Sequence, residues 1–258
     1  MRAYPKAIRI TSNNLNPVLL WRQGVQMAAL NWQDCDKGIM LNEAMFSGTP
    51  GYVLKPHRYR PGSEQGQQSS NSGSGFMDIQ LEVFAGQQLT LPPGKLNERD
   101  FEPYIRCSLH VETPEAKNKS KITHETTQQP KLKAHTTSGR GRNPSFGSRP
   151  GHGAKLSFKD VYVDEQELCF LRLKVVDDVT LGKDALAAWA CIRLDRVRTG
   201  LRIVKLWDAK GKGDGGLLLV KVSKVMKDDR EAGAGSPLSP NSGFRRDIES
   251  ALDRIAHT

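Results

Sequence analysis

Cysteine and histidine are the side chains best suited to metal binding, redox exchange and proton transfer, and this 258-residue sequence spreads them thinly. Cys35, Cys107, Cys169 and Cys191 lie on separate segments without metal-ligand or redox spacing, so they read as reduced, mostly buried thiols of a cytosolic protein. The six histidines, His57, His110, His124, His135, His152 and His257, begin only after the first 56 residues. Charge is the stronger signal. The formal net charge is +10, with eight basic and three acidic side chains in residues 1–60, and five basic and no acidic ones in 127–153. Such patches concentrate polyanions, whether anionic lipid or nucleic acid. In the second patch Gly139-Arg140-Gly141-Arg142 and the nearby lysines can bind headgroups, and Ser138, Ser145 or Ser148 can accept phosphate. A solvated loop with no partner would look the same. Phe146 is the only stacking platform there, which disfavours nucleic acid.

The elements that must position these groups are legible at both ends of the chain. Asn16 followed by Pro17 predicts a helix entry, and Gly24 a stop, for a short helix ending near Gln23. Val25 to Leu30 is apolar except for Gln26 and reads as a buried strand. A short helical pattern with Leu41 and Phe46 follows, then a turn at Gly48, Pro50 and Gly51 before Tyr52-Val53-Leu54. Residues 61–76 are rich in Gly, Ser and Gln and read as a linker.

From Met77 the period becomes two. Ile79, Leu81 and Val83 alternate with polar residues up to a turn at Ala85-Gly86, and Ile105, Cys107, Leu109 and Val111 repeat the pattern after Glu102-Pro103. Further strands are expected at 122–127, 154–158, 168–176, 189–194, 201–206 and 216–225, eight in all, forming an antiparallel β-sandwich. Residues 128–153 hold few large apolar side chains and many Gly, Pro, Ser and basic ones, so they are expected to be a disordered basic insertion. Residues 229–258 read as a linker and a last helix, whose Phe244, Ile248, Leu252 and Ile255 form one apolar stripe suited to docking on the same protein. The longest apolar run, Ala185 to Ile192, is far shorter than the ~20 residues of a membrane span. The amino terminus has no apolar core of a secretory signal.

Taken together, Arg-Ala-Tyr-Pro at 2–5, Ser12-Asn13-Asn14, Asn16-Pro17, Trp21, Gly24, Gln26-Met27, Ala29-Leu30-Asn31 and Gly51 to Pro56 resemble the end of the Y half of the catalytic barrel in eukaryotic, delta-like phosphoinositide-specific phospholipase C. The resemblance implies a mixed fold: over residues 1–60 a remnant of a (β/α)₈ TIM barrel, and over 77–228 an all-β C2-type sandwich. It also implies roles for two residues. Arg2 would bind a phosphate of the inositol headgroup and the Tyr4 ring would pack on the sugar, in keeping with guanidinium–phosphate geometry. Without the motif, Arg2 is a solvated terminal charge and Tyr4 a core residue.

The family's catalytic histidines and the carboxylates of its catalytic Ca²⁺ lie in the X half and early Y half, and no counterpart stands in this chain. A barrel needs ~250 residues, so the chain is expected to be inactive alone. The C2 resemblance raises a second Ca²⁺ question. Such domains gather carboxylates at one end because the ion takes six to eight oxygens. The candidates are Glu102, Asp177, Asp178 and Asp184, but Val179 stands where the family has a second Asp. The expected function is that of the carboxyl-terminal part of an enzyme hydrolysing phosphatidylinositol 4,5-bisphosphate, cytoplasmic and peripheral to membranes. Its partners would be phosphoinositides and anionic surfaces, and not nucleic acid. The alternative is a non-catalytic module that binds membrane lipid.

Overall fold

The computed structural model describes residues 2–4, 13–56, 59–60, 75–111, 132–179 and 184–227. The possible strand at 122–127 and the last helix lie outside these residues.

The first segment is small and mixed. Strand β1 (Arg2–Ala3) pairs in parallel with β2 (Met27–Ala28), and helix α1 (Pro17–Arg22) stands between them in sequence. Asn16 caps α1 as expected, its side chain accepting from the Val18 N–H, and Gly24 follows at φ 76°. Helix α2 (Lys37–Phe46) is capped by Asp36, which accepts from the N–H groups of Gly38 and Ile39. The other oxygen of Asp36 accepts the Asn14 N–H at 2.7 Å, and the Asn14 side chain donates to the Asn31 carbonyl at 2.9 Å. These bonds lock the connections around α1 and α2 together. Between Val25 and Leu30 the expectation of a buried strand is corrected. Val25 is buried, but only Met27 and Ala28 pair, and Met27 is exposed.

The rest is two stacked antiparallel sheets. One has the order β6-β3-β11-β9, from β3 (Gly75–Gln87), β6 (Ala154–Val163), β9 (Gly200–Lys205) and β11 (Leu217–Lys227). The other has the order β10-β8-β7-β4-β5, from β4 (Pro103–His110), β5 (Lys133–His135), β7 (Phe170–Asp177), β8 (Ala185–Arg193) and β10 (Trp207–Asp208). The period-two pattern places Met77, Ile79, Leu81 and Val83 of β3 in the core against Ile105, Cys107, Leu171, Leu173 and Val175. Strand β3 runs past the expected turn to Gln87, and its Gly75 and Phe76 come from the expected linker.

Residues 132–153 correct the expectation of a disordered insertion. They run along the sandwich and bond their backbone to both sheets: Thr136 N–H to the Ile105 carbonyl, Gly141 to Phe101 and Phe146 to Phe84, at 3.0, 2.8 and 2.9 Å. Phe146 enters the core, and Thr136 is buried. The composition misled because this segment is ordered by main-chain bonds rather than by apolar area. Its glycines permit close approach. A Cβ at Gly147 would lie 1.6 Å from the His152 carbonyl oxygen.

The unbroken apolar run of β8 has a physical reason. Ala188 and Ala190 face the sandwich core, while Trp189, Cys191 and Arg193 face outward beneath the α2 region. There Val18, Leu41, Ala44 and Met45 form a second core with Leu168 and Phe170 of the sandwich. Ties at its border include Arg22 with Asp164 at 3.7 Å and the Arg196 guanidinium with the Ser47 carbonyl at 2.5 Å.

Candidate functional site

Arg2 and Tyr4 are both exposed, at and just beyond β1. Tyr4 is 67% accessible, so its ring is not packed against the described residues. Both are available, and the parallel partner β2 fixes the direction of the strand that carries them.

The four expected metal ligands are distributed otherwise than a Ca²⁺ cage requires. Asp177, at the end of β7, is only 2% exposed. One of its oxygens is held by the Lys95 ammonium and the other accepts the Glu102 N–H at 3.0 Å. Lys95 also donates to the Asp100 carbonyl at 2.5 Å. Asp178 accepts from the Ser138 hydroxyl at 2.6 Å, and Glu102 faces Arg140 at 3.9 Å. Asp184 accepts from the Tyr104 hydroxyl at 2.6 Å and from Arg106 at 2.9 Å. The Tyr104 hydrogen bond, with Arg106 behind it, holds the Asp184 carboxyl below the usual carboxylate range.

Each carboxylate is therefore engaged by a cation or a hydroxyl of the chain. Among the described residues no three His, Cys, Asp or Glu side chains come together as a metal group. The set does not fit a Ca²⁺ ion needing six to eight oxygens, because the buried member already has a lysine as its counter-ion. Lys95 carried no signal in the sequence, standing 82 residues from Asp177.

A basic row lies on the outer face of the five-stranded sheet. Arg106 of β4 stands directly opposite Lys174 of β7, and Arg172 follows two positions along. Like charges directly opposite repel, so this face favours an anion. Burial, then Arg172 and Arg106, lowers the Lys174 pKa to about 8. Arg172 is partly covered by α2, its guanidinium reaching the Met40 sulfur at 3.8 Å. The alternation Leu171-Arg172-Leu173-Lys174 was the available sequence signal, since it puts two cations on one face of a strand. His110 closes the row. Burial and the positive charge of Arg172 and Lys37 push its pKa down to about 3, so it is neutral at pH 7.

Comparison with known proteins bears on both regions. Residues 1–58 match the family model described as phosphatidylinositol-specific phospholipase C, Y domain. The chain is 26% identical over 231 residues to 1-phosphatidylinositol 4,5-bisphosphate phosphodiesterase 1 of Saccharomyces cerevisiae, covering 82% of this chain and 25% of that protein. It is 38% identical over 104 residues to the human eta-1 phosphodiesterase of the same name, covering 37% of this chain and 6% of that one. Among solved structures, that of L. pealei PLC21 superposes with a TM-score of 0.60 at 19% identity, over 98% of this chain and 28% of that chain. The chain spans about a quarter of the length of the yeast relative. The Y-domain match ends at the border of the first segment, while the yeast match and the superposition continue across most of the chain. Residues 1–58 thus match a Y domain of phosphatidylinositol-specific phospholipase C, and most of the chain is similar to 1-phosphatidylinositol 4,5-bisphosphate phosphodiesterases.

Proposed function

We propose that this chain is the carboxyl-terminal part of a phosphoinositide phospholipase C that converts phosphatidylinositol 4,5-bisphosphate to diacylglycerol and inositol 1,4,5-trisphosphate. In that reaction the inositol 2-hydroxyl attacks phosphorus and expels diacylglycerol, and water then opens the cyclic phosphate. Arg2 and Tyr4 contribute headgroup binding, the guanidinium on a phosphate and the ring on the sugar. Residues 1–60 act as the last piece of the barrel and 77–228 as a C2-type domain that holds it at the membrane, in the cytoplasm. The observation that carries this reading is the Y-domain match running into a sandwich on which α2 is packed through a shared core. The β1–α1–β2 order, with β1 and β2 parallel, is what a barrel segment supplies.

The chain alone is inactive in this reading. Among the described residues no histidine is placed as an acid–base pair: His110 is held neutral beneath basic residues, while His135 and His152 lie in the segment along the sandwich. Purified residues 1–258 are expected to release no inositol phosphate from mixed micelles. Turnover that Arg2→Ala abolishes would overturn this. An immunoblot of cell extract with an antibody to residues 242–256 tests the larger claim. A band far above 28.6 kDa supports the enzyme reading, and one at 28.6 kDa replaces it.

The replacement is a lipid-binding module without catalysis, which the row of Arg106, Lys174 and Arg172 favours. Co-sedimentation with anionic vesicles at moderate salt is its test. Failure to pellet would dismiss it.

A further inference from the structure

A cleft of about 460 Å³ opens at the edge of the sandwich where β9 and β10 are the outermost strands, lined by both sheets and, on the outer side of β8, by Cys191 and Ser47. This is within the ~300–1,000 Å³ of small-molecule sites. Its inner wall is apolar, made by Leu81, Val220 and Val222 of one sheet and Leu171 and Leu173 of the other, all at most 6% exposed, so its open part lies toward the β9–β10 edge. At its mouth stand Arg198, Arg202 and Lys205.

Arg202 is placed there by register. On β9, Gly200 pairs with Val222, Arg202 with Val220 and Val204 with Leu218. Directly paired residues share a face, and Val220 and Leu218 belong to the core. Arg202 is thus on the inward row of an edge strand. Gly200, at φ 93°, turns the chain into β9 two residues before Arg202. Arg202 donates to the Leu201 carbonyl at 2.9 Å and has no carboxylate partner among the described residues. An inward charge can also protect a sheet edge from adding another strand. Protection alone does not call for a cavity beneath the charge.

We propose that this cavity binds a single-chain anionic amphiphile, with its alkyl chain between the sheets and its carboxylate or phosphate on Arg202. The ligand comes as a monomer from solution and not from a bilayer, because a lipid with two chains would leave the second one outside a space of this size. The site is separate from Arg2 and Tyr4 and does not depend on the catalytic reading.

The test is calorimetric titration of the full 258-residue chain with decanoate, dodecanoate, dodecyl phosphate and dodecylammonium, each below its micelle concentration. Dodecanoate or dodecyl phosphate is expected to bind one to one, and the better of the two identifies the headgroup. Affinity should rise about fourfold per added methylene. Arg202→Glu, at an exposed edge position, should weaken binding about tenfold or more, and dodecylammonium should bind correspondingly poorly. Ala190→Phe, which fills the cavity, should abolish binding; if it does not fold, Arg202→Glu still decides. Absence of saturable binding, equal binding of dodecylammonium, indifference to Arg202→Glu, or binding only to two-chain vesicles would each overturn the proposal.

Discussion

In the sandwich, Met77, Ile79, Ile105 and Val175 belong to one core between two sheets and are at most 1% exposed, each covered by residues of the same domain. In the first segment, Val18, Leu41, Ala44 and Met45 find their cover on Leu168 and Phe170 of the sandwich, while Met27, Trp32, Tyr52 and Leu54 remain exposed. One region carries its own core, and the other borrows part of it. Exposed apolar groups of this size suit a surface that meets more protein, as a barrel segment would. The comparison teaches that the sandwich is the platform and the Y-domain segment its rider, held by one apolar contact and a few polar ties.

That asymmetry can be broken experimentally. Leu173→Ala should cost about 2–5 kcal/mol and lower the unfolding midpoint of the whole chain, whereas Leu41→Ala should lose a similar amount only from the first segment. Urea denaturation with amide exchange separates the two, and a common transition for both variants would contradict the division. Lys95→Ala leaves the buried Asp177 with only the Glu102 N–H, so a loss of about 2–3 kcal/mol is expected, somewhat below that of a fully buried pair. The same variant should show no loss in the protection of the α2 amides.

Acid sharpens the comparison through His110. Its folded pKa is lowered to about 3, below the ordinary 6.5, so under pH 6.5 the unfolded chain takes up a proton that the folded one refuses. Stability from this group is therefore complete above pH 6.5 and is lost as pH falls toward 3, with a slope of at most about 1.4 kcal/mol per pH unit. Denaturation midpoints at pH 7 and pH 5 should differ in the parent and converge in His110→Gln. Asp36→Ala removes the cap of α2 and its bond to Asn14, costing about 1–2 kcal/mol in the first segment alone. Smallest of all, Glu102→Gln disturbs only an exposed pair with Arg140 and should change stability by less than about 0.5 kcal/mol.

The strands of the sandwich were legible because Met77, Ile79, Leu81 and Val83 obey a period of two over one buried face. Helix α1 was legible because Asn16, Pro17 and Gly24 each act locally. Residues 132–153 were not, because their order comes from carbonyls of Phe84, Phe101 and Ile105, partners that no local composition reveals. The carboxylates were found, but their partners were not, since Lys95, Arg106 and Ser138 reach them from other loops and strands. The sequence shows which groups are charged. Long-range pairing decides what neutralises them.

The Lys95–Asp177 pair has a consequence for how this end of the sandwich responds to its surroundings. A bound ion stabilises by mass action, in proportion to the logarithm of its free concentration. A lysine carried by the chain has a fixed local concentration. The end of β7 is fastened to the loop before β4 by a cation that the chain itself carries, whatever the free concentration of any ion outside.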